Sequence, residues 1–262
     1  MDYFTNMLNI IKKIVKNGAP KAEPVKAAAF KEEDVRFSDV EQTEMEIVAS
    51  VGNFTMSSIE RRLNLVDSLK YVLQNDLRGD IVECGVWRGG MMMLAMKFLL
   101  QSGVSNRNIW LYDTFEGMPD PTGVDVDVDG KAAADRLALD ESLKNQSHVW
   151  AIAGIEEVRR NLESTGYPAS NVKMIKGMVE ETIPAMLPEK ICILRLDTDW
   201  YESTKHELEH FYDRVVPGGV VIIDDYGYWS GARKAVDEFL EKRAERIFLH
   251  RIDHTGRSFV KP

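Results

Sequence analysis

The chain has 262 residues, of which 44% are hydrophobic, and its 33 basic and 42 acidic side chains give a net charge of -9. This length and apolar content fit one sizeable α/β domain, with or without an appended segment. The acidic balance argues against nucleic acid as a partner, because phosphate binding needs clustered basic residues, and it suits a protein that holds cations. The two cysteines, Cys84 and Cys192, lie inside apolar runs. We expect both to be reduced and buried, which favours a cytoplasmic protein.

Residues 1–51 differ in character from the rest of the chain. Apolar side chains such as Phe4, Leu8 and Ile11 recur there at helical spacing, and residues 17–50 are rich in Ala, Lys, Pro and Glu. No apolar run is long enough to cross a bilayer, and the features of a signal peptide are missing, so we expect no integral membrane segment. We predict a helical arm and linker that docks on its own domain or on a second subunit, in a homodimer or larger homo-oligomer. The alternative is an amphipathic helix that lies on a surface or binds another partner.

From residue 52 onward, predicted helices and strands alternate. Ser57 and Glu60 form a capping-box pair that predicts the start of the first helix. The alternation is typical of an α/β domain in which helices cover both faces of a parallel sheet. Ligands of such sheets bind at the carboxyl ends of the strands, so the residues after each strand are the candidate site residues. The predicted strands are DIVECG, NIWLYD, NVKMIKG, ICILRLD, GGVVIIDD, RIFLHRI and RSFVKP.

Residues typical of a nucleoside site follow the first three strands. Gly85 opens a glycine-rich turn, where a backbone can approach a ligand closely. Asp113 ends the second strand, where a carboxylate can accept hydrogen bonds from both ribose hydroxyls. The turn lacks the G-x-G-x-x-G spacing of a pyrophosphate cradle, so we infer a nucleoside without phosphates, of which S-adenosylmethionine is the common cofactor. Gly177 and Met178, after the third strand, are expected beside the adenine, unless Met178 is a core residue.

A long polar segment separates the second and third strands. Connections of this length in compact domains are often lids or binding loops, and we predict an acidic substrate lid over residues 119–148. Asp125, Asp127 and Asp129 have the spacing of a calcium loop. The position that would need a bidentate glutamate holds Arg136, however, which argues against calcium.

Three carboxylates follow the fourth and fifth strands. Asp197 ends the fourth strand, and Asp224 and Asp225 end the fifth. Adjacent parallel strands bring these ends together, where the three charges would repel one another unless a cation lies among them. All are hard oxygen ligands, with no Cys or His beside them, which indicates Mg²⁺. The alternative is that they are paired or cap helix N-termini.

A rival motif, HELEH, spans His206 to His210 and matches the H-E-x-x-H signature of zinc proteases, with Glu207 as the base. The core stripe of this predicted helix includes Leu208 and Phe211, so both histidines are expected to face solvent instead of a metal. A dehydrogenase of the NAD type is a further alternative. It would need the missing G-x-G-x-x-G turn and has no use for three carboxylates.

Six segments together resemble the macrocin O-methyltransferase family, whose members methylate sugar hydroxyls on macrolides; a close relative methylates the sugar of novobiocin. The resemblance covers residues 52–262 and implies a Rossmann-like class I methyltransferase fold with a mostly parallel seven-stranded sheet. It also implies S-adenosylmethionine as the methyl donor and a requirement for Mg²⁺. The six segments are TMSSIERRLNL, DIVECGVWRGG, YDTFEGMP, KGMVEETIP, LRLDTDWYEST and GGVVIIDDYG.

The resemblance implies roles for individual residues. The family's cofactor site matches Met56, Ser57, Glu83, Gly85 and Asp113. Its metal ligands match Asp197, Asp224 and Asp225, and its candidate general base matches Asp199, which together with Asp197 forms the predicted catalytic pair. The implied reaction is methyl transfer to a sugar hydroxyl of a glycosylated natural product or related saccharide, with a phenol or catechol as the alternative acceptor.

Aromatic residues cluster around the same predicted sheet edge. Trp200 and Tyr201 follow the fourth strand, and Tyr226 follows the fifth, with Tyr228 and Trp229 close behind. We predict that Trp200, Tyr201 and Tyr226 stack on the sugar ring or its aglycone. The alternative is that some of these aromatics are core residues.

Overall fold

The structure is a computed structural model that describes residues 37–139 and 150–262. Its contacts divide the chain into two units, Met1–Val40 and Glu41–Pro262. Of the first unit only residues 37–40 are described, and they form a turn in which the Val40 N–H donates to the Phe37 carbonyl. The predicted N-terminal helix therefore lies outside the described residues, as do residues 140–149 of the predicted lid.

A seven-stranded sheet forms the centre of the second unit. Its strands are β1 (Asp80–Cys84), β2 (Ile109–Asp113), β3 (Val172–Lys176), β4 (Ile191–Leu196), β5 (Val215–Ile223), β6 (His250–Arg251) and β7 (Arg257–Val260). The order across the sheet is β3-β2-β1-β4-β5-β7-β6. Strands β1 to β5 run parallel, and β7 is antiparallel to both β5 and β6. The predicted mostly parallel seven-stranded sheet is confirmed, although RIFLHRI forms only the short β6.

Eight α-helices are found in the described residues, and they pack on one another and on the sheet. They are α1 (Gln42–Ser50), α2 (Ile59–Gln74), α3 (Gly90–Gln101), α4 (Ala133–Leu139), α5 (Ile155–Glu163), α6 (Val179–Thr182), α7 (Tyr201–Phe211) and α8 (Ser230–Glu241). Helix α2 buries an apolar stripe that includes Leu63, Val66, Leu69 and Val72. Among the described residues, none of these helices combines the length and apolar character needed to cross a bilayer.

Helix α1 occupies residues that the sequence assigns to the arm. It packs against α2 and α3, and Lys70 of α2 pairs with Glu44 at 2.6 Å. Residues 41–51 thus belong to the same compact unit as the sheet. The sequence conceals this helix because α1 buries only Glu44 and Val48, which leaves almost no apolar stripe to detect.

The start of α2 differs by one residue from the predicted cap. The Ser58 side chain, and not that of Ser57, accepts the hydrogen bond from the Arg61 N–H, at 3.2 Å. Both serines are chemically able to cap a helix. Ser57 is instead drawn inward, where its hydroxyl accepts a hydrogen bond from Arg195 at 2.8 Å.

A close approach at the start of α3 holds the segment before α2 in place. A Cβ atom on Gly90 would lie 2.4 Å from the carbonyl oxygen of Phe54, so only glycine fits there. This contact places Met56 and Ser57 over the carboxyl end of β1, where the candidate site lies.

Candidate active site

A cavity of about 410 Å³ lies at the carboxyl ends of β1, β4 and β5. Its walls also include the segment before α2, part of the insertion after β2, and the turn between β6 and β7. Most of the residues predicted from the sequence line it together. They are Met56, Ser57, Glu83, Gly85, Asp113, Asp197, Asp199, Trp200, Asp224 and Asp225.

Asp113 joins the end of β2 to the glycine-rich turn after β1. Its carboxylate accepts hydrogen bonds from the backbone N–H groups of Val86 at 2.6 Å, Trp87 at 3.2 Å and Phe115 at 2.6 Å. Burial raises the pKa of Asp113, and these hydrogen bonds act in the opposite direction because they favour the ionised form. The predicted ribose partner therefore faces the cavity and also holds the turn that closes one side of it.

A second, smaller cavity of about 50 Å³ lies next to the first. Gly177 and Met178 line it, and Gly85 and Asp113 line both cavities. Met178 is 39% exposed, so it is not a core residue. The two predicted adenine-side residues thus lie next to the predicted ribose partner, although they do not line the larger cavity.

Gly85 lies where the ends of β1 and β4 touch. Its φ is +78°, and a Cβ atom there would lie 1.9 Å from the carbonyl oxygen of Asp197. We expect Gly85→Ala to lower the free energy of unfolding by at least about 2 kcal/mol, since it combines a left-handed backbone with a backbone clash. Urea unfolding would measure the loss. Gly103→Ala is the matched control, because Gly103 has a φ of +74° with nothing within 4 Å of the added atom. Equal losses in the two variants would contradict the close contact.

Arg195 is the centre of the charged part of the cavity, and it is 1% exposed. Its guanidinium donates to Glu83 at 2.8 Å, to Asp197 at 2.7 Å and to the Ser57 hydroxyl at 2.8 Å, and it also pairs with Asp224. Burial raises the pKa of Glu83 to about 7, although Arg195 acts against this rise. The sequence carries one sign of this residue that the predictions missed, a single arginine inside the apolar strand ICILRL.

Asp197, Asp199 and Asp225 form a cluster in which one oxygen of each carboxylate lies within 4.8 Å of the others. Burial raises the pKa of all three, that of Asp199 to about 7, and neighbouring carboxylates contribute to each rise. No described residue donates a hydrogen bond to the buried Oδ2 atom of Asp225. Three hard oxygen donors with one unsatisfied buried atom fit a divalent cation such as Mg²⁺ or Mn²⁺.

Asp224, a predicted metal ligand, is not a member of the cluster formed by Asp197, Asp199 and Asp225. Its two oxygens pair with Arg61 and Arg195, and Arg61 also contacts Asp253 at 3.0 Å. Adjacent residues at a strand end project to different sides, so Asp224 faces the arginines while Asp225 faces the cluster. Asp199, predicted as the base, is the third member of the cluster.

The aromatic wall of the cavity includes Trp200, as predicted, together with Tyr228 and Trp229. The rings of Trp200 and Trp229 pack edge to face with centroids 4.9 Å apart. The Trp200 indole N–H donates to the Pro119 carbonyl at 3.0 Å, which ties this wall to the insertion. Trp200 and Trp229 are buried members of a core cluster, so the alternative of core aromatics holds for both, and the half-buried Tyr228 is the ring of this wall that is better placed to contact a ligand.

The prediction that Tyr201 and Tyr226 contact the acceptor is not supported by their positions, since neither lines the cavity. The Tyr201 hydroxyl donates to Glu238 at 2.8 Å, and the Tyr226 hydroxyl donates to Asp237 at 2.7 Å. Both partners lie on α8, so Tyr201 joins the start of α7 to that helix and Tyr226 joins the loop after β5 to it.

The described part of the insertion, residues 119–139, is anchored by its aspartates. Asp125 is 0% exposed and accepts hydrogen bonds from the Tyr201 N–H at 2.8 Å and the Thr122 N–H at 2.7 Å. Asp127 accepts a hydrogen bond from Arg136 at 2.6 Å. These contacts explain the repeated aspartates without calcium, and they bring Arg136 into the cavity wall.

The HELEH motif does not form a zinc site in the described structure. His206 Nε2 lies 3.0 Å from the Ile183 carbonyl oxygen, and His210 Nδ1 lies 2.8 Å from the His206 carbonyl oxygen. The two rings contact each other with centroids 4.1 Å apart and a tilt of 34° between their planes. Both histidines are half-buried, so the prediction that they face solvent is wrong. Glu207, between them in sequence, is buried.

Comparison with known proteins identifies the family of this chain. Residues 12–261 match the model of the family described as macrocin-O-methyltransferase (TylF). The predicted resemblance began at residue 52, so the match also includes most of the predicted arm. Demethyldecarbamoylnovobiocin O-methyltransferase of Streptomyces niveus is 36% identical over 202 residues, which are 77% of this chain and 73% of that enzyme.

Two further relatives were found. The 8-demethyl-8-(2,3-dimethoxy-alpha-L-rhamnosyl)-tetracenomycin-C 4'-O-methyltransferase of Streptomyces olivaceus is 34% identical over 203 residues, which are 77% of this chain and 73% of that enzyme. Among solved structures, the O-methyltransferase NovP aligns with a TM-score of 0.69 at 34% identity, over 79% of this chain and 82% of that one.

Proposed function

Because the chain belongs to the macrocin O-methyltransferase family and is an S-adenosylmethionine-dependent O-methyltransferase, we propose that it methylates a sugar hydroxyl with the help of Mg²⁺. The observation that carries this proposal is the cluster of Asp197, Asp199 and Asp225 at the cavity in which the predicted cofactor residues converge. The acceptor we propose is a sugar of a glycosylated natural product. The tetracenomycin relative, whose name specifies a rhamnosyl compound as its substrate, supports it.

The cofactor is proposed to lie along the ends of β1 and β2. Asp113 would accept hydrogen bonds from the ribose, and Gly177 and Met178 would contact the adenine in the smaller cavity. Met56, Ser57, Glu83 and Gly85 surround the part of the larger cavity next to Asp113, where the methionine portion of the cofactor would lie. The methyl group would then face the acidic cluster.

Asp197 and Asp225 are the proposed core of the Mg²⁺ site, and Asp199 or Asp224 would complete it. Asp199 has its oxygen in the cluster already, whereas Asp224 would have to give up one arginine contact. When bound, Mg²⁺ supplies a Lewis acid that lowers the pKa of a nearby hydroxyl by several units. A sugar hydroxyl needs such help because it is almost fully protonated at neutral pH.

Asp199 is the proposed general base, a role that leaves Asp224 to complete the Mg²⁺ site. The Asp199 pKa of about 7 lets it accept a proton near neutral pH, and it lines the cavity beside Trp200. Tyr228 and the cavity-facing edges of Trp200 and Trp229 would contact the acceptor and exclude water from the transfer. Holding the acceptor hydroxyl in line with the methyl group of the cofactor supplies much of the rest of the rate enhancement over the uncatalysed reaction.

We expect Asp199→Ala to lower kcat by about 100-fold to 10,000-fold at pH 7, the range typical of general-base removal. The loss of kcat should be smaller at pH 9, because hydroxide in solution can then remove the proton from the acceptor hydroxyl. In the unmodified protein, kcat should rise with pH along a limb below pH 7, since Asp199 must be ionised to act and the bound cation lowers its pKa from the value of about 7 in the metal-free site. A pH series of kcat for both proteins would measure this. A loss of the same size at every pH would rule out Asp199 as the base.

The proposed function is tested by methyl transfer from radiolabelled S-adenosylmethionine to a panel of acceptors. The panel should include desmethyl glycosides of aromatic and macrolide natural products, their aglycones, and a catechol. We expect labelling of the glycosides alone, its loss in EDTA, and its recovery with excess Mg²⁺. Labelling of the catechol in preference to every glycoside would contradict the acceptor, and full activity in EDTA would contradict the role of the metal.

A further inference from the structure

Glu207 is a buried carboxyl group that the proposed reaction does not use. It lies in the middle of α7, is 0% exposed, and no described residue donates a hydrogen bond to its Oε1 atom. Burial raises its pKa well above the usual range for glutamate, which favours the neutral form of the group. A buried polar group with an unsatisfied atom is costly to the fold, which calls for an account of what Glu207 does there.

Two side chains, the Cys84 thiol and the Thr198 hydroxyl, face Glu207, and Thr198 is the residue that separates Asp197 from Asp199. The Thr198 hydroxyl lies 3.2 Å from Glu207 Oε2. The Thr198 carbonyl accepts a hydrogen bond from the Trp200 N–H at 2.7 Å. Thr198 is therefore held both by its side chain and by its carbonyl, and this fixes the orientation of the peptide groups that lead to Asp199.

The turn held in this way has a strained backbone. Asp199 has a φ of +65°, a left-handed conformation that costs a residue other than glycine about 1–2 kcal/mol. Such a conformation persists only where the surroundings enforce it. The Asp197 N–H donates to the Cys84 carbonyl at 2.9 Å, so Asp197 is also held from β1. Release of Thr198 would let Asp199 relax and would turn its carboxylate away from Asp197 and Asp225.

We propose that Glu207 is a positioning residue, which, through its hydrogen bond with Thr198, holds the carboxylates of Asp197 and Asp199 toward the cation and the acceptor. This proposal rests on the proposed function, because the position of the turn matters for the reaction only if the turn carries a metal ligand and the general base. Residues that orient metal ligands without touching the metal typically contribute about 10-fold to 100-fold in metal affinity or activity.

The test combines Mn²⁺ affinity, measured by electron paramagnetic resonance, with steady-state kinetics on the full chain. Glu207→Met and Thr198→Val should each weaken Mn²⁺ binding and lower kcat by about tenfold, while the KM for S-adenosylmethionine changes less than about twofold. The double variant should lose no more than either single variant, since both remove the same contact. Glu207→Gln should recover most of the loss, because a neutral amide still donates and accepts. Glu209→Met, an exposed change on the same helix, is the matched control and should leave both readouts unchanged.

Thr198→Val keeps the side-chain volume, so it tests the positioning role even if Glu207→Met fails to fold. Unchanged Mn²⁺ affinity and kcat in Thr198→Val would overturn the positioning role, as would losses in the double variant equal to the product of the single losses. A failure of the unmodified protein to bind Mn²⁺ has a different meaning. It would contradict the metal site of the proposed function, and the positioning role would fall with it.

Discussion

Replacement of Asp225 by asparagine should reduce kcat by about a thousandfold, equivalent to about 4 kcal/mol of transition-state stabilisation, and leave the affinity for S-adenosylhomocysteine within a few fold. Asp225 belongs to the acidic cluster, and its Oδ2 atom is buried without a donor among the described residues. The neutral amide is a weaker ligand for a hard cation, whereas the predicted cofactor residues stay unchanged. Single-turnover methyl transfer and calorimetric titration with S-adenosylhomocysteine would measure the two effects separately.

Asp237→Asn is a suitable control for this experiment, because Asp237 is an exposed aspartate on α8 away from the cavity. Its replacement should leave kcat unchanged. A loss of S-adenosylhomocysteine affinity in Asp225→Asn as large as the loss of kcat would speak against a metal role for this residue, because it would mean that the cofactor site itself had been disrupted.

The largest effect on stability is expected from Arg195→Met. This change leaves Glu83, Asp197 and Asp224 in a buried site without their shared partner. Breaking a buried ion pair by removing one partner typically costs about 3–5 kcal/mol of unfolding free energy. Urea unfolding at pH 8 would measure the loss. Arg159→Met is the matched control, since Arg159 pairs with Glu156 on the surface at 3.4 Å and its loss should cost less than about 1 kcal/mol.

The loss in Arg195→Met should also depend on pH. Glu83 already has a folded-state pKa raised to about 7, and without Arg195 that pKa rises further. A carboxyl group whose pKa is raised on folding binds more protons in the folded state, so its contribution to stability falls as pH rises toward the folded pKa. The variant should therefore be closer to the unmodified protein at pH 6 than at pH 8. A loss no larger than that of Arg159→Met, or one independent of pH, would contradict the central role of Arg195.

The fold and the meeting of the strand ends follow closely from the sequence. Continuous apolar strands alternate with amphipathic helices, and the resulting parallel sheet brings Asp113, Asp197 and Asp225 to one edge whatever the details of the loops. The same reasoning is weaker for Gly177 and Met178, because a strand-end position does not tell which of two neighbouring cavities a residue lines.

The contacts that the sequence conceals are those set by side-chain direction after a strand ends. Asp224 and Asp225 are adjacent and chemically identical in the sequence, yet one pairs with arginines and the other joins the acidic cluster. Tyr201 and Tyr226 stand beside predicted site residues but turn toward α8. Only the packed structure decides these directions, because they depend on long-range partners such as Arg61, which is far from Asp224 in the chain.

The most direct measurement is an anomalous difference map from crystals of the protein soaked with Mn²⁺ and S-adenosylhomocysteine. We expect one strong peak within about 2.5 Å of carboxylate oxygens of both Asp197 and Asp225, next to the sulfur of the bound cofactor product. The third carboxylate at the peak would also decide between Asp199 and Asp224. A map with the cofactor product in place and no peak between Asp197 and Asp225 would contradict a metal-assisted methyl transfer at this site.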